Sequence, residues 1–288
     1  MKIGYIGLGL MGKPCARNLI KGGQDLFIWA RNPGKIQDLA ALGARLCDSP
    51  ADLASKVELI FTNLSDTPDV REVLLGPAGV IEGGRSGLIV VDMSTISALA
   101  TRQMAEDLAK KGITLVDAPV SGGTKGAQDG TLTIMVGAEP DVFEKVKPVL
   151  SLMGAKITRI GGTGAGQVAK SCNQIMITAN IMGVSEAFKL ASALGVDLAP
   201  VREALLGGFA QSTVLNMHGL RMIEDNYEPG FKTVLHRKDM GIVAGLASEL
   251  GLDMPASALG TRALEKTVEG GFGEEDSSAM YKIIIKKA

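Results

Sequence analysis

The first twelve residues, MKIGYIGLGLMG, place Gly7, Gly9 and Gly12 at GxGxxG spacing, directly after an apolar strand pattern and directly before a helical one. Few folds accept a strand that turns into a helix through three glycines, and the βαβ unit is the principal one. Lys2 to Ile6 reads as a short buried strand, and KPCARNLIKGG carries helical periodicity through Cys15, Leu19 and Ile20. In such a unit the first glycine allows the tight turn, the second lets a pyrophosphate approach the backbone, and the third lets helix and strand pack closely. The N–H groups at the helix start face the phosphates. Leu10 and Met11, between the glycines, join Gly7, Gly9 and Gly12 as expected cofactor contacts. A glycine-rich turn without a ligand is the plainer alternative.

Strand and helix patterns then alternate. DLFIWA (25–30) reads as a second strand, and RNPGKIQDLAALG as a helix capped at Asn32 with Pro33 in its first turn. VELIFTNL, GLIVVDMS, ITLVDAPV, LTIMVGA and KITRIGG are further β-rich runs, with helical stretches such as TRQMAEDLAKKG and PDVFEKVKPVLSLMG between several of them. This alternation predicts an α/β fold: an N-terminal Rossmann domain with a doubly wound, mostly parallel sheet over residues 1–163. Beyond Gly164 the apolar spacing is helical almost to the end, which predicts an all-α C-terminal domain over 164–288. Its first segment, AGQVAKSCNQIMITANIMGVSEAFKLASALG, is about thirty residues without proline, longer than most helices. Asn173, Gln174, Asn180, Glu186 and Lys189 interrupt it too often for a membrane span. Its apolar middle predicts burial against a neighbour and association to a homodimer or homotetramer.

Composition excludes several function classes. A formal net charge of −1 over 288 residues gives no general attraction to nucleic acid or to an anionic membrane. Cys15, Cys47 and Cys172 stand far apart, without a disulfide framework or a CxxC pattern, and the two histidines, His218 and His236, lack metal-ligand spacing. No metal site is expected, and the chain is expected to be cytoplasmic. The N-terminus is occupied by the first strand, with no signal-peptide pattern.

Four places can carry chemistry. An NAD-selective site carries an acidic residue at the end of the second strand, but here stand Ala30, Arg31 and Asn32. Arg31 could clamp a 2′-phosphate, which favours NADP(H) and leaves NAD(H) possible. The plainer alternatives are a solvated Arg31 and an Asn32 that only caps a helix. Loops at the carboxyl ends of parallel strands bind ligands. Leu64 and Ser65 in NLSDTP and Thr95 in DMSTIS are expected at the cofactor, although Ser94 or Thr95 could simply cap the next helix. Ser121, Gly122 and Gly123 offer backbone N–H groups to a carboxylate, or form an ordinary turn. Lys170 and Asn173, three residues apart, share a helix face. Desolvation or a nearby cation would lower the Lys170 pKa and fit it for proton transfer, whereas spacing alone favours a solvated first-turn lysine. In GFKTVLHRKDM, Phe231, Lys238 and Asp239 stand out, with Lys238 and Asp239 readable as a surface ion pair.

Together GYIGLGLMGKPCARNL, DMSTIS, DAPVSGGTKGAQDGTL, GAGQVAKSCNQ and FKTVLHRKDM resemble, in order and over essentially the whole chain, the β-hydroxyacid dehydrogenase family. Cys15 departs from a common methionine, and NLSDTP from the commoner MLPxxxxV. The resemblance implies that Lys170 is the catalytic proton donor, that Ser121, Gly122, Gly123, Asn173 and Phe231 hold substrate, and that Thr95 and Lys238 contact the cofactor. DAPVSGG, DGTL, GGFAQSTVL and LHRKD look most like tartronate semialdehyde reductases, while WARNP and NLSD look like the NADPH-dependent glyoxylate/succinic semialdehyde branch. The implied activity is NADPH-dependent reduction of a small carboxylate-bearing aldehyde such as tartronate semialdehyde, glyoxylate or succinic semialdehyde to the hydroxy acid. A 3-hydroxyisobutyrate dehydrogenase is one alternative. An NADP(H)-binding scaffold without turnover is another, which the presence of Lys170 disfavours; Lys170 also disfavours a related imine-reducing family.

Overall fold

The strands form where apolar runs leave both faces of a sheet to be covered. In the computed structural model, which describes residues 1–285, the chain divides into two compact units, Met1–Lys170 and Ser171 onward. The first unit contains β1 (Lys2–Ile6), α1 (Gly12–Lys21), β2 (Asp25–Trp29), α2 (Gln37–Ala41), β3 (Arg45–Leu46), α3 (Pro50–Lys56), β4 (Leu59–Thr62), α4 (Thr67–Leu75) and α5 (Val80–Gly83). It continues with β5 (Ile89–Asp92), α6 (Ala98–Ala109), β6 (Thr114–Asp117), β7 (Val120–Ser121), α7 (Gly123–Asp129), β8 (Leu132–Gly137), α8 (Pro140–Leu150) and β9 (Gly154–Gly161). α9 (Ala165–Ala193) begins in this unit and ends in the next.

The strands pair in the order β3-β2-β1-β4-β5-β6-β8-β7, with β9 alongside β8. From β3 to β6 the pairs are parallel, β8 is antiparallel to β6 and β7, and β9 is parallel to β8. Alternate residues feed two cores. Ile3, Tyr5, Phe61, Val91 and Val116 enter one, and Ile60, Val90 and Leu115 enter the other with Leu53, Val70 and Leu108. This is the doubly wound pattern expected of strands buried on both faces. The strand order reverses between β1 and β4, so the carboxyl ends of those two strands flank the crevice where such a sheet takes its ligand.

Local details differ from the sequence reading. The expected helix from Arg31 divides into a 3₁₀ turn at Pro33–Ile36 and the short α2, although Asn32 does cap it, accepting a hydrogen bond from Gly34 N at 3.1 Å. β3 was not expected, because two exposed residues carry no apolar alternation. The cap of α6 is Ser97, which accepts from Ala100 N at 3.3 Å, rather than Ser94 or Thr95.

In the second unit α9 is followed by α10 (Leu198–Leu206), α11 (Thr213–Ile223), α12 (Thr233–Glu249), α13 (Pro255–Thr267) and α14 (Met280–Ile285), and no strand occurs among the described residues. The core gathers Ile181, Phe188, Leu215, Met240, Leu264 and Met280, with Phe188 edge-on to Tyr281 at 6.3 Å. α9 runs for 29 residues. Met176 and Leu190 on it stay exposed, so its apolar circumference is not fully covered within the chain. No helix among the described residues is long and apolar enough to cross a membrane.

One buried carboxylate ties this unit together. Asp276 accepts from Gly230 N at 3.0 Å and Phe231 N at 3.1 Å through Oδ2, and from Ser278 N at 3.1 Å and Ser278 Oγ at 2.8 Å through Oδ1. His218 Nδ1 stands 3.1 Å from Oδ1 as a charge partner. Burial alone would push the Asp276 carboxyl up, but His218 and Ser278 hold it well below the usual carboxylate range. A depressed folded pKa stabilises the fold above the unfolded value of about 3.9, and that contribution is lost as pH falls through the folded value. Asp276→Ala is therefore expected to cost about 3–5 kcal/mol by orphaning its donors and His218. In urea titrations, the gap in stability between wild type and Asp276→Asn should narrow below about pH 4; a gap independent of pH would show that charge is not what Asp276 contributes.

Candidate active site

The glycine turn separates what the protein requires of its glycines from what a ligand requires. Gly7 has φ +91°, and a Cβ there would run into the Asn63 carbonyl at the end of β4. A Cβ at Gly12 would collide with the Gly7 carbonyl oxygen. Both glycines are thus demanded by the fold. Gly9 is exposed, its φ is not positive, and a Cβ there meets nothing within 4 Å. The space beside it is unused by the protein and suits a close-approaching phosphate. α1 begins with no side-chain cap and no acidic residue in its first turn, leaving its N-terminal dipole to an anion. Leu10 is 68% exposed beside this space, and Met11 is half-buried. These residues fit a dinucleotide.

At the end of β2 the electrostatics are less simple than the sequence suggests. Arg31 is 59% exposed and held by two carboxylates of α4, Asp69 at 2.7 Å and Glu72 at 3.2 Å. Its guanidinium is therefore neither a plain solvated charge nor an unengaged anion clamp. Asn32 spends its side-chain oxygen on the turn that follows.

The loops after β4 and β5 are joined by a buried carboxylate. Thr62 Oγ1 and Ser94 Oγ donate to Asp92 Oδ1 at 2.7 and 2.6 Å, and Ser94 Oγ in turn accepts from Leu64 N at 2.8 Å. Ser94 is thus a structural tie between the two loops, and Thr95 beside it is half-buried. Ser65 is exposed. After β6, Ser121 closes β7, and Gly122 and Gly123 follow with φ +130° and +61°. α7 begins there without a side-chain cap, so this turn keeps its backbone N–H groups clear of side-chain acceptors of its own.

Lys170 lies in the second turn of α9 and is 7% exposed, which rules out the solvated first-turn lysine that spacing alone favoured. The start of α9 is capped from a distance by Asp117, at the end of β6. Its Oδ1 accepts from Gly164 N at 2.6 Å and its Oδ2 from Gln167 N at 2.8 Å. Burial pushes the Asp117 carboxyl up to about 6, against the pull of these two backbone donors. The sequence reading passed over Asp92, Asp117 and Gln167. The available signal was an aspartate closing each of two apolar strand runs, IVVD and TLVD.

In the second unit, Asn173 and Lys238 are linked through buried groups. Asn173 Nδ2 donates to Gln174 Oε1 at 2.8 Å, Gln174 Nε2 donates to Asp239 Oδ2 at 2.7 Å, and Lys238 Nζ pairs with Asp239 Oδ1 at 2.9 Å. Asp239 is buried, so this is not the surface pair that spacing allowed. Phe231 packs its ring 5.8 Å from that of His236. His236 Nε2 lies 2.8 Å from Thr178 Oγ1, whose proton goes to the Gln174 carbonyl, so Nε2 is the nitrogen that donates.

Known proteins match this chain over nearly its whole length. The family model for the NAD binding domain of 6-phosphogluconate dehydrogenase matches residues 2–162, and that described as NAD-binding of NADP-dependent 3-hydroxyisobutyrate dehydrogenase matches 164–284. A 2-hydroxy-3-oxopropionate reductase of Escherichia coli (strain K12) is 42% identical over 284 residues, covering 99% of this chain and 97% of that protein. A 2-(hydroxymethyl)glutarate dehydrogenase of Eubacterium barkeri is 38% identical, covering 98% and 94%. A solved structure of Mycobacterium tuberculosis 3-hydroxyisobutyrate dehydrogenase with L-serine superposes with a TM-score of 0.92 at 27% identity, covering 99% of each chain.

The two kinds of glycine predict opposite phenotypes. Gly12→Ala should lower stability by about 2 kcal/mol through overpacking. Gly9→Ala should leave the melting temperature near wild type and weaken nicotinamide dinucleotide binding roughly tenfold or more, about 1.4 kcal/mol. Thermal melts and fluorescence titration of both variants check this; unchanged affinity in Gly9→Ala would remove Gly9 from the binding surface.

Proposed function

The chain belongs to the 3-hydroxyisobutyrate dehydrogenase-like family of NAD(P)-dependent β-hydroxyacid dehydrogenases, and from that premise we propose that it reduces small semialdehyde acids with NADPH. The observation that carries this reading is Lys170: a buried lysine on a helix whose first turn is fixed to the carboxyl edge of the dinucleotide-binding sheet. Bound at the glycine turn, a reduced nicotinamide supplies a hydride to the aldehyde carbon. Lys170 Nζ gives its proton to the alkoxide oxygen that forms. Backbone N–H groups of Ser121, Gly122 and Gly123 take the substrate carboxylate, and Thr95 contacts the cofactor's reactive end. From the second unit, Asn173 and Phe231 are assigned to substrate and Lys238 to cofactor. Tartronate semialdehyde, glyoxylate and succinic semialdehyde share the chemistry this machinery addresses, an aldehyde beside or near a carboxylate. The 42% identity to a 2-hydroxy-3-oxopropionate reductase favours tartronate semialdehyde, which is the same compound. Cys15, Cys47 and Cys172 are all free, which suits a reducing compartment, and the cytoplasm is the one we propose. The second unit exposes Leu190, Leu194, Phe209 and Met217, which supports self-association into a dimer or tetramer.

NADPH preference follows from Arg31 only in part. Its exposed pairs with Asp69 and Glu72 are worth at most about 1 kcal/mol, so the side chain can turn to a 2′-phosphate. The two carboxylates then remain nearby and limit the preference.

Two measurements test the reading. Lys170→Ala should lower kcat by about 10²–10⁴-fold while NADPH still binds; a variant with near-normal turnover would remove Lys170 from the reaction. Ranking kcat/KM for tartronate, succinic and methylmalonate semialdehydes and glyoxylate, with NADPH and NADH, should place tartronate semialdehyde first and NADPH ahead. Arg31→Asp should shift the preference toward NADH, and Glu72→Gln should strengthen it toward NADPH. If neither substitution moves the ratio, Arg31 does not read the 2′-position.

A further inference from the structure

Gln167 is 1% exposed and lies one turn before Lys170 on α9. Its amide reaches across to the loop after β5. Nε2 donates to the Ser94 carbonyl at 2.8 Å, and Oε1 accepts from Ile96 N at 3.1 Å. Those two partners are the backbone groups on either side of Thr95. The amide orientation needs no choice, because only the NH₂ end can meet a carbonyl and only the oxygen can meet an N–H. The same residue gives its own backbone N–H to Asp117. Gln167 therefore ties three pieces together: the end of β6, the loop that holds Thr95, and the helix turn that leads to Lys170.

We propose that Gln167 is a positioning residue, which fixes the loop bearing Thr95 and the helix bearing Lys170 in one register so that hydride and proton reach the same carbonyl. This rests on the roles given above to Lys170 and Thr95. The burial argues for it. A glutamine 1% exposed must satisfy both ends of its amide or cost about 1–3 kcal/mol for each orphaned partner, so the clamp is all-or-none rather than adjustable. A leucine of similar size would fill the space without the register. Proton and hydride transfer both depend steeply on placement, and an error of about 1 Å costs on the order of 10²-fold.

The clamp has a distinctive chemical equivalent. A protonated carboxyl carries one donor and one acceptor in the same plane as an amide, whereas an ionised one carries only acceptors and would face the Ser94 carbonyl with a charge. Gln167→Glu should thus work when protonated and fail when ionised. The charged and titratable groups around it are Asp117 on β6, Asp92 behind Ser94, Lys170 one turn along α9 and Arg102 of α6, whose Nε lies 3.4 Å from the Thr163 carbonyl. Burial and the two aspartates would act to raise the introduced carboxyl, and the cations would oppose them.

The test compares wild type, Gln167→Leu, Gln167→Glu and Lys170→Ala by steady-state kinetics, NADPH titration and the primary isotope effect with deuterated NADPH. Gln167→Leu should lose 10- to 100-fold in kcat with NADPH affinity within about threefold of wild type, and should unmask a larger isotope effect. Gln167→Glu should recover toward wild-type kcat as pH falls from 8 to 5.5, after division by the wild-type profile. Wild-type kcat in Gln167→Leu, or a Gln167→Glu profile parallel to wild type, would overturn the proposal. If Gln167→Leu does not accumulate as folded protein, the pH profile of Gln167→Glu decides alone. An inactive Lys170→Ala beside unaffected Gln167 variants would sink the positioning role and spare the proposed reaction, whereas an active Lys170→Ala would sink both.

Discussion

Two carboxylates that the fold has no room to hydrate set the geometry of the dinucleotide-binding unit. Asp92 and Asp117 close β5 and β6 and face each other in register across the pair. Both are fully buried. A buried carboxylate is tolerated only when donors surround it, so each must draw the following chain back onto the strand end. Asp92 draws on Thr62 and Ser94, which fixes the loops after β4 and β5. Asp117 draws on Gly164 and Gln167, which fixes the start of α9 nearly fifty residues later. The close packing of backbone around Asp117 leaves no alternative: a Cβ at Gly137 or at Gly166 would press against its carboxylate. The position of Lys170 is therefore a consequence of desolvation at a strand end, with helix geometry supplying the last turn.

The fold was legible in the sequence because its signals are local. A strand running into a glycine turn, apolar runs at strand length and a change to helical spacing after Gly164 each depend on neighbours within a few residues. The candidate site could be read from the sequence only as loops, since small polar residues after strands mark where a sheet of this kind takes a ligand. Asn32 as a cap was also foreseeable, because the cap and its donor are two residues apart. What could not be read was the set of contacts at long separation. Asp117 meets Gln167 at fifty residues' distance and Arg31 meets Asp69 and Glu72 at about forty, and periodicity says nothing about such partners. Exposure was equally hidden: Lys170 and Asp239 carry the charge of surface residues and are buried.

The helical unit solves the same problem in another way. It has no strand ends among the described residues to present side chains, so it orders them through side chain to side chain contacts on and between helices. Asn173, Gln174, Asp239 and Lys238 form one chain of hydrogen bonds and charge. Gln174 and Asp239 at its centre are buried and its two ends are half-buried, and a network of this kind holds its members in a single arrangement when every group is paired. Asp276 does for the turn before α12 what Asp117 does for α9, taking the backbone N–H groups of Gly230 and Phe231 onto one carboxylate oxygen. In both units a buried acid sets the backbone beside a residue assigned to the reaction.

Cofactor choice, as proposed above, rests on a different and weaker kind of interaction. The glycine turn is fixed by backbone collisions, and the part of a dinucleotide that it fits is common to NAD and NADP, so it does not discriminate between them. On the reading proposed above, discrimination falls to one exposed arginine and two carboxylates, whose formal charges sum to −1. Such a cluster does not attract a phosphate as it stands. It does so only after Arg31 leaves its partners, at a cost of about 1 kcal/mol or less, and with Asp69 and Glu72 still opposing the added charge. Selectivity built this way is a small difference between mobile surface terms. It is open to change by single substitutions on α4 that leave the fold and the reaction untouched, whereas the placement of Lys170, locked by buried groups, is not.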